Sequence, residues 1–361
     1  MPGAYRYFTT HAVTGEVLSI DLPLADVEFG PELNGPGRFT GTLAPDLPGL
    51  DVRQLDSGTV LLWAERGEQL LWGGLVWRAE PDEERYRIEA AGFSSYLGRR
   101  FDLHGNLSGR APYKGTDPCQ VIADVWAYCQ AQPDGDLAVI VEQPPGGSPG
   151  RLGTTEQPYT VKEWEAPSLA AVVRDAAGVD GGPEWTERVT RTPDGRLERR
   201  IVLDSPRLGT RRADLVFATG VNIIDKPTAA ADGDQYAQVL VALGAGDGSA
   251  KVRTTDAIRD GRLRLEAVLD RPSITDRTAL AALARTERIR RSQLAQVTEI
   301  TVHDHPAAPI GSWQVGDDVR VQIHEPRIDF DGWRRIVGWT LQPDHAGQET
   351  ATLHLANAYT S

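Results

Sequence analysis

The chain is poor in cysteine, lysine and methionine and has no long apolar run. Only Cys119 and Cys129 are present in 361 residues. Ten positions of helix separate them by about 15 Å along the axis, whereas a disulfide wants Cα atoms within roughly 7 Å, so free thiols are expected. No apolar stretch reaches the ~20 residues of a membrane helix. The opening residues carry no basic segment followed by an apolar one, so no secretory signal is expected. A soluble protein made in a cytosol is therefore expected. Lysine occurs only at positions 114, 162, 226 and 251, and arginine supplies the other basic residues. The formal net charge of −13 excludes a sequence-independent nucleic-acid binder, which needs a basic footprint. Apolar residues make up 40% of the chain and nine are tryptophan, which excludes disorder. The length allows two or three domains.

Most of the chain reads as short strands separated by turn residues: 61–63, 70–77, 86–90, 198–203, 214–217, 238–243, 262–268, 319–323, 333–341 and 350–355. The turn Thr192-Pro193-Asp194-Gly195 makes 184–203 a hairpin. Three helices are expected. Asp117 caps the first, with Pro118 at its first position and Ile122, Val125, Trp126 and Cys129 as one stripe. Ser168 caps the second over 169–177, and Gly178 stands where a left-handed residue is wanted. Pro272-Ser273-Ile274-Thr275-Asp276 resembles a capping box for a third helix running to about Arg291, with Leu280, Leu283 and Ala284 inward. The segment 142–158, rich in Pro and Gly, reads as an irregular surface excursion. The fold class is α+β, β-rich.

The two ends of the chain echo each other. Gly58 leads into Val60-Leu61-Leu62-Trp63, then Trp72-Gly73-Gly74-Leu75-Val76-Trp77, a Pro81-Asp82 turn and the strand 86–91. Gly316 leads into 319–323, then Trp333-Arg334-Arg335-Ile336-Val337-Gly338-Trp339, a Pro343-Asp344 turn and the strand 350–355. One order in both places suggests two related small β-barrels, with strand glycines permitting the bends a small barrel needs.

No constellation demands an enzyme. Gly244-Ala245-Gly246-Asp247-Gly248 follows a strand, but what comes next is extended rather than the helix a dinucleotide loop opens. His303 and His305 alternate onto one face, the start of a metal pair, yet no third ligand is near and Pro306 ends the strand. Asp232-Gly233-Asp234 lacks the acidic ladder of a calcium loop and reads as a turn. Gly92-Phe93-Ser94-Ser95-Tyr96 lacks the second glycine of a nucleophile elbow. Asp329 and Asp331 flank Phe330, and Asp331-Gly332 reads as a hairpin turn. No catalytic, cofactor-binding or metal-binding residue is assigned.

A family resemblance is carried by Leu71-Trp72-Gly73-Gly74-Leu75-Val76-Trp77, then Ala91-Gly92-Phe93-Ser94-Ser95-Tyr96-Leu97-Gly98-Arg99-Arg100, Ser205-Pro206-Arg207-Leu208-Gly209 and Phe217-Ala218-Thr219-Gly220-Val221-Asn222. It continues through Val241-Ala242-Leu243-Gly244-Ala245 to Gly311-Ser312-Trp313-Gln314-Val315-Gly316-Asp317-Asp318-Val319-Arg320-Val321. The series resembles the minor tail proteins of actinobacterial phages and the hub proteins at the tips of tailed-phage tails and related injection machines.

The resemblance implies a homotrimeric, non-enzymatic hub without cofactors. Each chain would contribute two barrels to a pseudo-sixfold ring at the distal end of the virion tail. Implied partners are the distal tail or tail tube protein, the tape measure protein and a receptor-binding or fibre protein. DNA would only pass through the lumen, repelled by acidic walls.

The expected domains are a first barrel over 1–104, with strands in 213–245 available to complete it, and an inserted α+β domain over 105–212. A connecting α+β region follows over 213–295, then the second barrel over 296–361. No lytic or fibre domain is expected after it, which leaves cell-wall cleavage unassigned. A carbohydrate-binding β module, using tryptophans such as Trp63 or Trp185, and a tail-associated glycan hydrolase are the alternatives.

Overall fold

The computed structural model describes residues 5–44, 52–81, 85–225, 229–231, 236–272, 274–292, 295–326, 328–343 and 349–358. Asp82, Asp344, Ser273 and the 232–234 turn lie outside the described residues. The chain forms two units: Met1–Asp225 with Ile300–Gln322 and Asp331–Ala358, and Lys226–Glu299 with Ile323–Phe330 and Tyr359–Ser361.

In chain order the strands begin with β1 (Tyr5–His11), β2 (Val17–Ser19), β3 (Ala25–Glu32), β4 (Gly35–Leu43), β5 (Val60–Arg66), β6 (Gln69–Pro81) and β7 (Tyr86–Gly92). Then come β8 (Val139–Glu142), β9 (Glu184–Arg191), β10 (Leu197–Asp204), β11 (Arg211–Ala218), β12 (Ala229–Ala231), β13 (Val239–Leu243), β14 (Arg253–Ala257) and β15 (Glu266–Asp270). Last are β16 (Ala295–Val297), β17 (Glu299–His303), β18 (Asp318–Glu325), β19 (Ile328–Gln342) and β20 (Thr350–Asn357). The longer helices are α1 (Pro118–Gln130), α2 (Leu169–Ala177) and α3 (Arg277–Arg291).

The echoed segments become strand triplets of the same build. β5, β6 and β7 lie in consecutive order, as do β18, β19 and β20. Each triplet is entered by a glycine at positive φ, Gly58 at 79° and Gly316 at 96°. Their amides donate to the second strand in the same way, Gly58 to the Val76 carbonyl and Gly316 to the Ile336 carbonyl, both at 2.7 Å. Each second strand then carries a register shift against the third, between Val76 and Arg78 and between Ile336 and Gly338. Such a shift increases strand twist and bend.

Among the described residues the hydrogen bonds do not form two separate rings. A single twelve-stranded ladder runs β11-β18-β19-β3-β4-β7-β6-β5-β1-β2, with β20 and β17 branching from β19. The triplets are joined because β3 pairs with β19, Gly338 opposite Glu32 and Leu341 opposite Phe29. Each sheet thereby covers an edge the other would leave open.

The first part of this sheet is nevertheless rolled. β1 and β3 are five steps apart in the ladder, yet Tyr5 meets Phe29 at 6.4 Å and Tyr7 meets Phe39 at 6.0 Å between ring centroids. Phe29, Phe39 and Trp72 continue that aromatic core. In the second part, isolated bridges from Val302 to Ile223 and from Ile223 to Thr219 carry pairing from β17 toward the end of β11.

The Asp331-Gly332 hairpin expected from sequence does not form; β19 runs straight through both residues. Asp331 instead accepts two hydrogen bonds from Arg320 on β18, each 2.9 Å. A charge-assisted cross-strand pair holds it extended.

Between β7 and β11 the chain builds α1, α2 and the sheet β8-β10-β9. The Asp117 side chain accepts from Cys119 N, and Ser168 from Ala171 N. Gly178 stays right-handed at φ −80°, and Gly181 takes the left-handed turn at φ 70°. Ile122, Val125, Trp126 and Cys129 share a core with Phe8, Trp63 and Leu75 of the large sheet and with Phe93 just after β7. The 142–158 segment is not loose: Ser148 is 3% exposed and its amide donates to Asp117 Oδ2 at 3.0 Å.

Buried charges fasten distant segments. Arg335 forms two ionic hydrogen bonds with Glu184 and donates to the carbonyls of Leu208 and Gly316. Arg66 pairs with Glu349 at 2.9 Å, and Tyr5 Oη donates to that carboxylate at 3.1 Å.

In the second unit, α3 packs on the sheet β14-β13-β15 through Leu240, Ala242, Leu269, Leu280 and Ala284. Its N-cap is Asp276, which accepts from Thr278 N at 2.6 Å. Gly248–Ala250 form a single 3-10 turn where the sequence predicts extended chain from Ser249, and the extended run begins at Arg253 with β14. Among the described residues no helix is long and apolar enough to cross a membrane.

Candidate functional site

Two cavities of the first unit lie near Glu187 and its neighbour Ser94. β9 alternates, so Trp185 and Glu187 share one face, and β9 follows directly on the turn that closes α2. Glu187 Oε1 accepts a hydrogen bond from Ser94 N at 2.7 Å. Its Oε2 crowds the position a Cβ on Gly92 would take, and the Pro36 carbonyl oxygen crowds the same position. Gly92 is therefore required there, and two oxygens face each other across it. Burial pushes the Glu187 carboxyl up to about 8, against the opposing pull of the nearby Ser94 hydroxyl dipole and the Phe93–Ser94 backbone amides. The ionised form is disfavoured because water is withdrawn and the carbonyl opposite offers no proton.

A cavity lies on each side of this contact, and Pro36 lines both. The first, about 410 Å³, is walled by Trp72, Glu187, Arg188, Trp313 and Trp339. Thr186 lines it, is 6% exposed and leaves its hydroxyl without a hydrogen bond. The second, also about 410 Å³, is lined by Ile122, Trp126, Val173 and Trp185, with Ser94 and Arg174 as polar members. Ser94 is 7% exposed. Its Oγ sits beside the Glu187 carboxylate but makes no hydrogen bond of acceptable geometry. Volumes of this size suit a side chain or a small ligand. The arrangement can seat an apolar group, satisfy one donor and hold a proton.

The cysteines stand alone. Cys119 and Cys129 are free and buried, and burial pushes their thiols up to about 12 and about 11. His303 and His305 approach with ring centroids 5.8 Å apart, and His305 Nδ1 accepts from Ala307 N at 3.1 Å. Among the described residues no three His, Cys, Asp or Glu side chains gather as a metal site. Asp329 pairs with His324 and Asp331 with Arg320, so the two carboxylates serve different contacts.

The tryptophans expected to meet a glycan do not reach solvent. Trp63 is 0% and Trp185 8% exposed; the inserted helices and strands cover both rings. Trp164, not singled out by sequence, is 74% exposed. Glu187 and Ser94 also went unassigned. Their only sequence signal is the glycine preceding Phe93, which marks a close approach without naming what approaches.

No protein-family model and no curated protein matches the chain. Solved structures do. A 43 kDa tail protein of prophage MuSo2 from Shewanella oneidensis aligns over 97% of this chain and 98% of its own, with 15% identity and a TM-score of 0.57. A tail protein from Neisseria meningitidis aligns over 98% and 96%, with 15% identity and a TM-score of 0.58. Prophage tail protein gp18 from Listeria monocytogenes covers 98% of this chain at 12% identity and a TM-score of 0.49. The chain shares the fold of the first two along nearly its whole length.

Proposed function

We propose that this chain is a structural component of a phage tail tip: a hub that forms a ring at the distal end of the tail tube. The observation that carries the reading is the pair of strand triplets, entered by Gly58 and Gly316 through the same hydrogen bond and bent at the same point. Two like modules in each of three copies present six similar faces to a sixfold tube. The other side of the ring keeps true threefold symmetry. Cyclic closure reuses one contact three times.

The β3–β19 pairing supports this by fixing the two modules in one sheet. The fold shared with two phage tail proteins supports the setting. The net charge of −13 suits a lumen through which DNA passes without sticking. On this reading the partners are two further copies of the chain, the distal tail or tail tube protein above, and the tape measure protein. A receptor-binding or fibre protein seats below. On this reading the chain is of the minor tail protein type found in actinobacterial phages, and it performs no catalysis.

Native mass spectrometry and electron microscopy of the purified protein test the reading. A species of three times 39.3 kDa forming closed rings is expected. A chain that remains monomeric at high concentration, and is absent from the tip of tail particles, overturns it.

A further inference from the structure

The inserted region carries an apolar projection and an apolar cavity that ring formation in general leaves unexplained. The projection is built by two adjacent segments. Phe101 bridges Ser168, and Asn106 N donates to the Val161 carbonyl at 2.8 Å. From these segments Leu103 and Trp164 stand out, each 74% exposed, and Phe101 is 42% exposed. Glu163 and Glu165 flank the indole on one 3-10 turn. Large apolar side chains grouped this way mark an interaction surface, and tryptophan is the residue most favoured at the centre of one.

The cavity is the one floored by Trp126 and Trp185. Ser94 lines it, more than nine-tenths buried, with its hydroxyl unpartnered. A buried hydroxyl left so is costly and is relieved by any donor that enters. Arg174 lines the same cavity, is exposed, and makes no ion pair among the described residues. The two features match. An indole brings apolar area and one N–H donor, and Glu163 brings charge opposite to that of Arg174, while Glu165 is paired with Lys162 at 2.9 Å.

We propose that the Trp164 projection of one copy seats in the Trp126–Trp185 cavity of the next, forming an anchor of the contact between copies. The inference rests on the ring reading above and adds which surfaces meet. A second copy is the occupant because this chain itself presents, at the exposed Trp164 and Glu163, the apolar area, N–H donor and negative charge that match the cavity. Its indole N–H donates to Ser94 Oγ, and Glu163 lies toward Arg174. Projection and cavity are different patches, so the contact is heterologous and runs head to tail, the type that closes into a ring.

The test is a complementation. Trp164→Ala removes the projection, and Ala177→Phe, at a position lining the cavity, fills the space. Sedimentation velocity on each variant, with folding checked by circular dichroism, should show association weakened by about 30-fold or more relative to the unaltered chain. An equimolar mixture should form a heterodimer, because the first variant keeps an open cavity and the second an intact projection. Arg174→Glu, on an exposed residue, is the cavity-side variant should Ala177→Phe fail to fold. It should weaken association, and Glu163→Lys in the same chain should restore it.

If the unaltered chain forms rings and Trp164→Ala forms them equally well, or the mixture stays monomeric, this contact is wrong and the ring reading stands. If the unaltered chain never associates, both fall.

Discussion

Replacing Glu187 with glutamine isolates the energetic cost of one carboxylate. Its Oε1 accepts from Ser94 N at 2.7 Å, and its Oε2 faces the Pro36 carbonyl across Gly92. Burial raises the carboxyl from its ordinary value to about 8. Because the folded value lies above the unfolded one, the native state holds the extra proton between the two. The stabilising contribution is complete below about pH 4.5 and is lost as pH rises through about 8. At 1.36 kcal/mol per unit the ceiling is about 5 kcal/mol; because Glu187 is partly rather than fully buried, about 2–4 kcal/mol is the working expectation.

Urea denaturation of both proteins from pH 5 to pH 9 reads this directly. The unaltered chain should lose stability across that range relative to Glu187→Gln. The amide keeps the bond from Ser94 and donates its own N–H toward Pro36. At pH 9 the variant should be the more stable of the two. Titrations elsewhere are common to both proteins and cancel in the difference. Two parallel curves would refute the reasoning.

Arg335→Met should destabilise by about 3–5 kcal/mol, because it strands a Glu184 carboxylate that is only 15% exposed. Urea midpoints check this, and Glu184→Gln added to Arg335→Met should recover most of the loss. Cys119 and Cys129 should resist an aromatic disulfide reagent at pH 8, with their thiols held up near 12 and 11. Both should react at once when the chain is unfolded in denaturant.

Local signals were legible where a residue's neighbours in sequence are also its neighbours in space. Alternation marked β20, expected over 350–355, whose burial alternates from Thr350 to Leu355. β5 shows why alternation is not universal: six successive residues from Val60 to Glu65 are buried, because the inserted helices cover the sheet's other face. The paired glycines at 58 and 316 exposed the internal echo because each takes a conformation other residues avoid. Asp331-Gly332 misled because a turn signal is weak beside an ion pair from the adjacent strand. The expected Ser273 capping signal points to the same helix that Asp276 caps three positions later.

The candidate site was almost illegible. Its cavities draw on segments near 34–36, 94–98, 122–126, 170–178 and 185–201, and no local pattern joins them. The projection left one faint mark: Glu163-Trp164-Glu165 puts a large indole in a polar stretch where no strand or helix period explains it.

The pairing of β3 with β19 has a consequence during synthesis. Glu28 and Gln342, 314 positions apart, share a hydrogen bond of 2.6 Å, and Phe29 meets Trp339 at 6.4 Å between ring centroids. A ribosome releases the amino-terminal strands long before the residues that complete them. Until β19 emerges, β3 offers an unpaired edge beside aromatic side chains, a state prone to sticking to other nascent chains. Products terminated before β19 should therefore aggregate rather than fold in part, so the large sheet is completed only once β19 has been made.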